Sequence, residues 1–491
     1  MSYGGTMKII LSLLLFLLAV PAFSQSEKVD PLVWQLLHSK SEQEVPILVF
    51  LDEADLSETD LIADKKLKHQ RMYEILTWHA RRTQFEVRQQ LDKANLEYTS
   101  YYITNMIAVY DSNIHIVRDL LRNEKVRRIS ANPEIESLPP FQKSVGSFGV
   151  ESSLEYIGVK KVWDKYNKRG EGIVVAGQDT GIEWNHPALI KQYRGYSKDG
   201  VDHNYNWHDA IHKNASSNRC GAKAQAPCDD NGHGTHTLGT VVGDDHGINQ
   251  IGVAPRAKWI GCRNMDNGFG TPARYIECFE FFFAPYAYGA DKFKDAKVEL
   301  AADVINNSWG CPASEGCAGD EFIPVLKRLK DVGIMVVVSA GNEGPACSSI
   351  ANAPAHNTEH VLSVGAYDHR YDRIAGFSSR GPSAFNGRIG PNVVAPGVNI
   401  RSAVPGKQYA QWGWSGTSMA GPHVAGQVAL MWSIQPELQG DVSRTAGLIM
   451  SSATEKKATR SCGEALSAIP NNTYGFGVVD VFQAVEKSLE N

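Results

Sequence analysis

An acid, an imidazole and a hydroxyl stand in three short strings of this 491-residue chain. The strings are Asp179-Thr180-Gly181, Gly232-His233-Gly234-Thr235-His236 and Gly416-Thr417-Ser418-Met419-Ala420-Gly421-Pro422-His423. Asp, then His, then Ser is one of the three known chain orders in which a hydroxyl nucleophile, its base and an orienting acid occur. A serine hydroxyl is a weak nucleophile near neutral pH and needs a base within hydrogen-bond reach. His233 is the candidate to take the Ser418 proton and later return it to a leaving group. Asp179 is the candidate to fix the imidazole tautomer and stabilise its charged form. Acyl transfer of this kind passes through a tetrahedral oxyanion. A fourth string, Ala340-Gly341-Asn342-Glu343-Gly344, offers the Asn342 amide as a donor, a role worth roughly 3–4 kcal/mol. The Ser418 backbone N–H is the second candidate donor, and Thr417 adds a hydroxyl.

The elements that must carry these groups are legible nearby. Ile173–Ala176 is a short apolar run that leads into Gln178-Asp179. It reads as a buried parallel strand delivering the acid at its carboxyl end, where α/β sheets place their sites. Thr235–Val242 reads as a helix, which sets His233 at a helix start. Met419–Ile434 reads as a second helix, with Pro422 early enough to be tolerated, so Ser418 sits at the positive end of a helix dipole. Val336–Val338 is a further buried strand that ends just before Gly341-Asn342.

With these strings together, residues 150 to 487 resemble the subtilisin-like (S8) serine proteases. Gly252-Val253-Ala254-Pro255, Asn307-Ser308-Trp309-Gly310, Phe377-Ser378-Ser379 and Val394-Ala395-Pro396-Gly397 add to the match. Ser308–Pro312 and Gly344–Ser348 point to the bacillopeptidase F group within it. The resemblance implies an α/β fold, a three-layer domain with a mostly parallel sheet. It implies a serine endopeptidase with Asp179, His233 and Ser418 as triad, and Asn342, Ser418 and Thr417 at the oxyanion. Extended substrate would pair with Ser308, Trp309 and Gly310, and Ala340 and Gly341 would line the pocket before the scissile bond. Protein or peptide substrates are the implied partners.

Other readings fit less well. An aspartic protease needs two active-site carboxylates, and one D-[ST]-G string is present. Ala420 replaces the second glycine of a G-x-S-x-G elbow, which disfavours an α/β-hydrolase. His236 and His423 read as structural and His186 as a turn residue. Gly268–Ala273 mimics a dinucleotide fingerprint but follows polar Arg263–Asn267, and reads as a loop. Glu343 borders the specificity pocket, where a carboxylate suits a basic side chain; a solvent-facing loop carboxylate is the alternative. Two further function classes stay open beside the endopeptidase: a transpeptidase or cyclase, and a catalytically silent scaffold. The intact set of groups disfavours the silent one.

Composition fits a secreted globular enzyme. Charged residues are 21% and the formal net charge is −5, which gives no footprint for nucleic acid or an anionic membrane. Lys8, the apolar run Ile9–Val20 and small residues at Pro21–Ser24 read as an export signal, residues 1–24, cut after Ser24. Spanning a bilayer takes about 20 apolar residues, so no membrane association is expected once the signal is removed. The location expected is extracellular or periplasmic, and a monomer is the default. All 8 cysteines follow residue 219, and an even count in an exported chain suggests disulfides. Eight cysteines allow 105 connectivities, so the pairing does not follow from the sequence. Local pairs Cys220–Cys228, Cys262–Cys278 and Cys311–Cys317 are expected, leaving Cys347 with Cys462. The Asn-x-Ser/Thr sequons are Asn214, Asn306 and Asn471.

Ahead of the peptidase domain (151–491) lies a separate unit, 28–136. Val45–Leu51, Gln70–Ala94, Tyr98–Ile103, Met106–Tyr110, Ile114–Leu121 and Val126–Ile129 read as β-α-β-β-α-β, a small α+β ferredoxin-like fold. Tyr102–Val109 and Val126–Asn132 resemble the inhibitor I9 prodomain of subtilisin-like zymogens. A mostly parallel sheet folds slowly, and an attached template can lower that barrier. Residues 137–150 are expected to be a linker that lies in the cleft and holds the autocleavage region, with the prodomain acting as intramolecular inhibitor.

Two departures from the family matter. Ala188 stands where many members have a calcium-binding Asp, and His246 where an Asn ligand is common. No metal site and no cofactor are therefore assigned; calcium stays open, with Asp244 or Asp245 as oxygen ligands against a solvated-surface reading. The segment Ser197–Asp229 is longer than in compact members and is expected to form a surface loop beside the cleft. A helix after Tyr474–Asp480 is expected to close the domain, leaving no room for a C-terminal module.

Overall fold

The computed structural model describes residues 28–39, 45–136, 141–142, 149–213, 218–312, 317, 319–410 and 413–490. The expected export signal, most of the 137–150 linker and the Asn214 sequon lie outside these. The described residues fall into two compact units. The smaller comprises the chain up to Glu53, Arg82–Ser100 and Asn105–Ala131; the larger comprises Ala54–Arg81, Tyr101–Thr104 and the chain from Asn132.

In the smaller unit, β1 (Val45–Leu51), β2 (Tyr98–Tyr101), β3 (Met106–Ser112) and β4 (Val126–Ala131) form a sheet of order β2-β3-β1-β4. Central β1 pairs antiparallel with both β3 and β4. One face is apolar: Val45, Ile47, Val49, Ile107, Val109 and Ile129 pack against Val87 and Leu91 of a helix, and against Val117 and Leu120 of another. That second helix, Ile114–Leu120, starts at Asn113, whose side chain accepts from the His115 and Ile116 N–H groups. These are first-turn donors with no partner inside the helix.

The larger unit is organised by an eight-stranded sheet. Its strands are β5 (Val174–Asp179), β6 (Trp207–Asp209), β7 (Lys258–Arg263), β8 (Val304–Asn307), β9 (Met335–Ser339), β10 (Leu362–Asp368), β11 (Arg373–Ile374) and β12 (Val393–Pro396). The order is β6-β7-β5-β8-β9-β10-β11, with β12 also on β10. All pairs are parallel except β10 with β11. Strand residues of both pleat directions are buried, which is why runs such as Met335–Ser339 and Val393–Pro396 are rich in Val and Ala without a polar alternation. Val175, Val304, Val337 and Val364 meet helices α1 (His233–Val242) and α3 (Thr417–Ile434). Beside β7, helix α2 (Pro272–Phe283) is tied by Cys262–Cys278. The fold is the expected three-layer α/β arrangement.

The chain enters this sheet at β5, moves outward to β7, then returns to place β8 on the other side. The order reverses between β5 and β8, and a crevice at such a switch point is where open parallel sheets bind ligands. Asp179 ends β5 and Ser308 follows β8.

Two expectations need correction. The segment Ser197–Asp229 is not only a surface loop: Trp207–Asp209 adds the edge strand β6 beside β7. Trp207 is buried there and Arg263 of β7 pairs with Asp209, so the insertion is held from inside. Gly268–Ala273 is not a plain loop either. Met265–Asp266 and Phe269–Gly270 form a hairpin. Its Asn267-Gly268 turn has φ of 51° and 94°, the left-handed pair that an Asn-Gly turn of the hairpin type requires. The outer edge of this hairpin pairs antiparallel with Ile135–Glu136.

The four disulfides join Cys220 to Cys228, Cys262 to Cys278, Cys311 to Cys317 and Cys347 to Cys462, the pairs expected. Among the described residues no helix is long and apolar enough to cross a membrane.

Candidate active site

His233 is the first residue of α1, and Asp179 the last of β5. His233 Nδ1 lies 2.8 Å from Asp179 Oδ1 and 2.9 Å from Oδ2, with both side chains buried. The backbone geometry around them demands glycine. Gly181 has φ of 111°, and a Cβ there would meet the Cys228 carbonyl oxygen at 1.8 Å. A Cβ on Gly234 would lie 2.1 Å from the Gly181 carbonyl oxygen. Acid loop and base helix thus touch through bare backbone. Burial works against a charged imidazole, yet the Asp179 carboxylate, and more weakly Asp229, outweigh it and hold His233 above its ordinary pKa.

Ser418 sits in the first turn of α3. Its hydroxyl donates to the Ser308 carbonyl at 3.2 Å, so the resting serine is not bonded to the imidazole. The Ser308 hydroxyl answers by donating to the Ser418 carbonyl at 3.3 Å. Pro422 explains that second bond. The helix tolerates this proline, as expected, and continues to Ile434, but the residue lies in the second turn and has no N–H. The carbonyl it would have served, four residues back, is that of Ser418, and Ser308 supplies the missing donor.

Asn342 is oriented by its neighbour. Its Oδ1 accepts from the Thr417 N–H at 2.9 Å and the Thr417 hydroxyl at 3.0 Å. The amide nitrogen is therefore the end left to face an incoming oxyanion. Thr417, expected to add a hydroxyl to the oxyanion, has its proton on Asn342 and accepts from the Gly341 N–H at 3.3 Å. It positions the amide.

Ser308, Trp309, Gly310, Gly341, Asn342, Thr417 and Ser418 line one cleft of about 350 Å³, together with Glu136 and Glu343. Trp309 is stacked on Tyr275 at 3.6 Å between ring centroids and 9°. Ala340 is buried, its N–H bonded to the Val364 carbonyl. Glu343 is exposed but held: its carboxylate accepts from the Ser379 hydroxyl at 2.7 Å and the Asn352 amide at 3.0 Å.

His236, His423 and His186 are packing groups. His236 stacks on Trp414 and meets the Ile400 carbonyl, and His423 meets the Met419 carbonyl and the Ser153 hydroxyl. Burial pushes both down to about 3, so they stay neutral. His186 meets the Gln408 carbonyl and the Ala188 N–H. In the Asp244–Gln250 loop, Asp244 accepts from the His246 N–H. Asp245 accepts from the Gly247 and Asn249 N–H groups, the Asn249 amide and the Tyr409 hydroxyl. Among the described residues no group of three or more His, Cys, Asp or Glu is placed to hold a metal.

Sequence reasoning passed over Asp229 and Arg263. Arg263 is fully buried with Asp209, Asp230 and Asp266 around its guanidinium. Asp229 accepts from Thr180, Gly232 and Thr235, residues that flank the acid and the base. The available signal was weak, because the acid lies three residues ahead of the N-cap position, Gly232, where a capping side chain is normally sought.

An open parallel sheet with an Asp–His pair and a helix-borne serine at its switch point defines a class, and the sequence places the chain within it. Residues 170–477 match the Subtilase family (peptidase S8), and the chain belongs to that family. It is similar to bacillopeptidase F of Bacillus subtilis (strain 168), 38% identical over 417 residues, which covers 81% of this chain and 27% of that protein. It is also similar to the thermophilic serine proteinase of Bacillus sp. (strain AK1), 34% identical over 61% of this chain and 62% of that one. Serine protease AprX of Bacillus subtilis (strain 168) is 32% identical over 55% of this chain and 59% of its own. The chain thus spans about a quarter of the first relative's length and about three-fifths of the other two.

Proposed function

We propose that the protein is a secreted serine endopeptidase that hydrolyses peptide bonds through an acyl-enzyme, made as a zymogen that processes itself. The observation that carries the reading is the Asp179–His233 pair in the same unit as a cleft where Asn342 is fixed, nitrogen outward, beside Ser418. Attack needs the Ser418 hydroxyl to leave the Ser308 carbonyl and turn to His233. The Oγ–C bond then forms as the proton passes to the imidazole, and the oxyanion is met by the Asn342 amide and the Ser418 N–H. His233 returns the proton to the amine as the C–N bond breaks, and water repeats the sequence to release the acyl group. The reaction as drawn uses only groups of this chain. Serine proteases among the relatives support it.

Processing of the chain's own linker is supported by two pairings within the larger unit. Ile135–Glu136 runs antiparallel to Phe269–Gly270, and Glu136 lines the cleft. Phe141–Gln142 runs antiparallel to Trp414–Ser415, just before Ser418. The chain on either side of 137–140 is thereby held as extended substrate would be. Tyr102 and Ile103 donate their N–H groups to buried Glu280 at 2.6 and 2.9 Å, a grip suited to an intramolecular inhibitor. Glu343 at the rim suits substrates with a basic residue before the scissile bond.

The test is a fluorophosphonate probe with the wild-type and Ser418→Ala proteins. Labelling of the wild type alone, with hydrolysed peptide products by mass, supports the reading. An unlabelled wild type, or ligated products, defeats it. Ser418→Ala expressed in a protease-deficient host should keep its full N-terminal region; trimming of that variant would remove autoprocessing from the proposal.

A further inference from the structure

Asp229 is 1% exposed and lies four residues before His233. Its Oδ1 accepts from the Thr180 hydroxyl at 2.9 Å, the Gly232 N–H at 2.7 Å and the Asn231 N–H at 3.1 Å. Its Oδ2 accepts from the Thr235 N–H at 3.0 Å and the Thr235 hydroxyl at 2.5 Å. Thr180 follows the acid Asp179. Gly232 and Thr235 stand immediately before and two residues after the base His233. The Thr180 hydroxyl, while donating to Asp229, also accepts from the Gly234 N–H at 3.0 Å.

One carboxylate therefore holds the acid loop and both shoulders of the base. Five donors converge on it. First-turn N–H groups of a helix need acceptors in any case. A neutral cap of the Ser or Asn kind would satisfy one of them. It would not also reach the loop that carries the acid.

We propose that Asp229 is a positioning residue for the reaction, setting the Asp179–His233 pair in register by gripping Thr180, Gly232 and Thr235 at once. The inference rests on the reading of His233 as the base. Asp229 touches neither substrate nor the reacting atoms; it acts through the residues beside them. Its own segment is fastened behind it. The Arg219 guanidinium donates to the Asp229 carbonyl, Cys228 is bonded to Cys220, and neighbouring Asp230 is turned to Arg263.

A bare structural cap and a positioning residue differ in what they move. The charged groups facing His233 are Asp179 and Asp229, while nearby His236 is neutral. Loss of the Asp229 charge should therefore shift the acid limb of kcat/KM to lower pH, because a base that holds its proton less tightly stays free in more acidic solution. Asp229→Ala should lower kcat about ten- to a hundred-fold with little change in KM, the scale of a small misplacement of catalytic groups. Asp229→Asn keeps one oxygen and should lose less, with the acid limb shifted the same way. Thr180→Ser should match the wild type. Thr180→Val should lose several-fold, and the double variant with Asp229→Ala should lose less than the product of the two.

The measurements are steady-state kinetics with a peptide substrate across pH and the rate of fluorophosphonate labelling, on the processed protein, with melting temperatures alongside. Folded Asp229 variants with wild-type kcat and an unmoved acid limb would overturn the inference. If neither Asp229 variant folds, Thr180→Val against Thr180→Ser decides: equal activity of the two overturns it. A wild type that fails to hydrolyse peptides defeats the endopeptidase reading instead, so the two failures are told apart.

Discussion

Around His233 the hydrogen bonds end on carboxylates, whereas around Ser418 they end on neutral groups. Asp179 and Asp229 hold the imidazole and its flanking backbone. Ser418 is held by the Ser308 carbonyl, and the Asn342 amide by Thr417. The two halves also differ in where their elements come from. The acid and base regions meet through Gly181 and Gly234, with backbone in contact. The serine region meets the strand-end loops through side chains and the dipole end of α3. A charged half should respond to pH and to substitutions that keep shape but remove charge. A neutral half should respond to the loss of a single donor and be indifferent to pH.

Several experiments would break or sharpen that contrast. Ser418→Ala should abolish probe labelling and leave the N-terminal region attached. Asp179→Asn preserves outline and removes charge, and should lower kcat on the order of 10⁴-fold, as tautomer control is lost. Asn342→Ala should lower kcat by roughly 10²–10³ with KM little changed, and its acid limb should stay where the wild type's is. That last point is the sharpest contrast with Asp229→Asn, whose limb should move. The sign follows from the carboxylates: they raise His233, so the wild type loses activity as pH falls through that raised value, and removing one lowers the midpoint. Movement of the limb in Asn342→Ala, or none in Asp179→Asn, would erase the distinction between the halves. Glu343→Gln should have the smallest effect, a few-fold loss on substrates with a basic residue before the scissile bond, since an exposed carboxylate contributes little.

Much of this was readable in the chain. Runs such as Val336–Val338 and Ile173–Ala176 have no polar face, so they can only be buried strands, and they fix where Asp179 and Asn342 emerge. The glycines at 181 and 234 sit in strings whose spacing is peculiar to this chemistry. Why the helix tolerates Pro422 is not legible in the sequence, because its cost depends on which carbonyl it orphans and on whether a distant hydroxyl is at hand. The insertion reads as surface because Trp207 and Asp209 lack a strand-length apolar pattern; their strand partners lie far along the chain, Gly261 opposite Trp207 and Arg263, 54 residues from Asp209. The Asn267-Gly268 hairpin carries its own turn signature, with both residues at positive φ.

From the sequence alone come the candidate reacting groups, their order and the parallel sheet, because these rest on residue type and local pattern; the cysteine pairs were open among 105 connectivities and needed the fold. Only the tertiary structure decided that the Thr417 N–H and hydroxyl meet Asn342, that the resting Ser418 hydroxyl turns to Ser308, and that Asp229 reaches residues beside both Asp179 and His233. Each of those depends on which acceptor a short side chain reaches across space. Hydrogen bonds form over about 3 Å and in particular directions, and neither constraint is written in the spacing of residues along a chain.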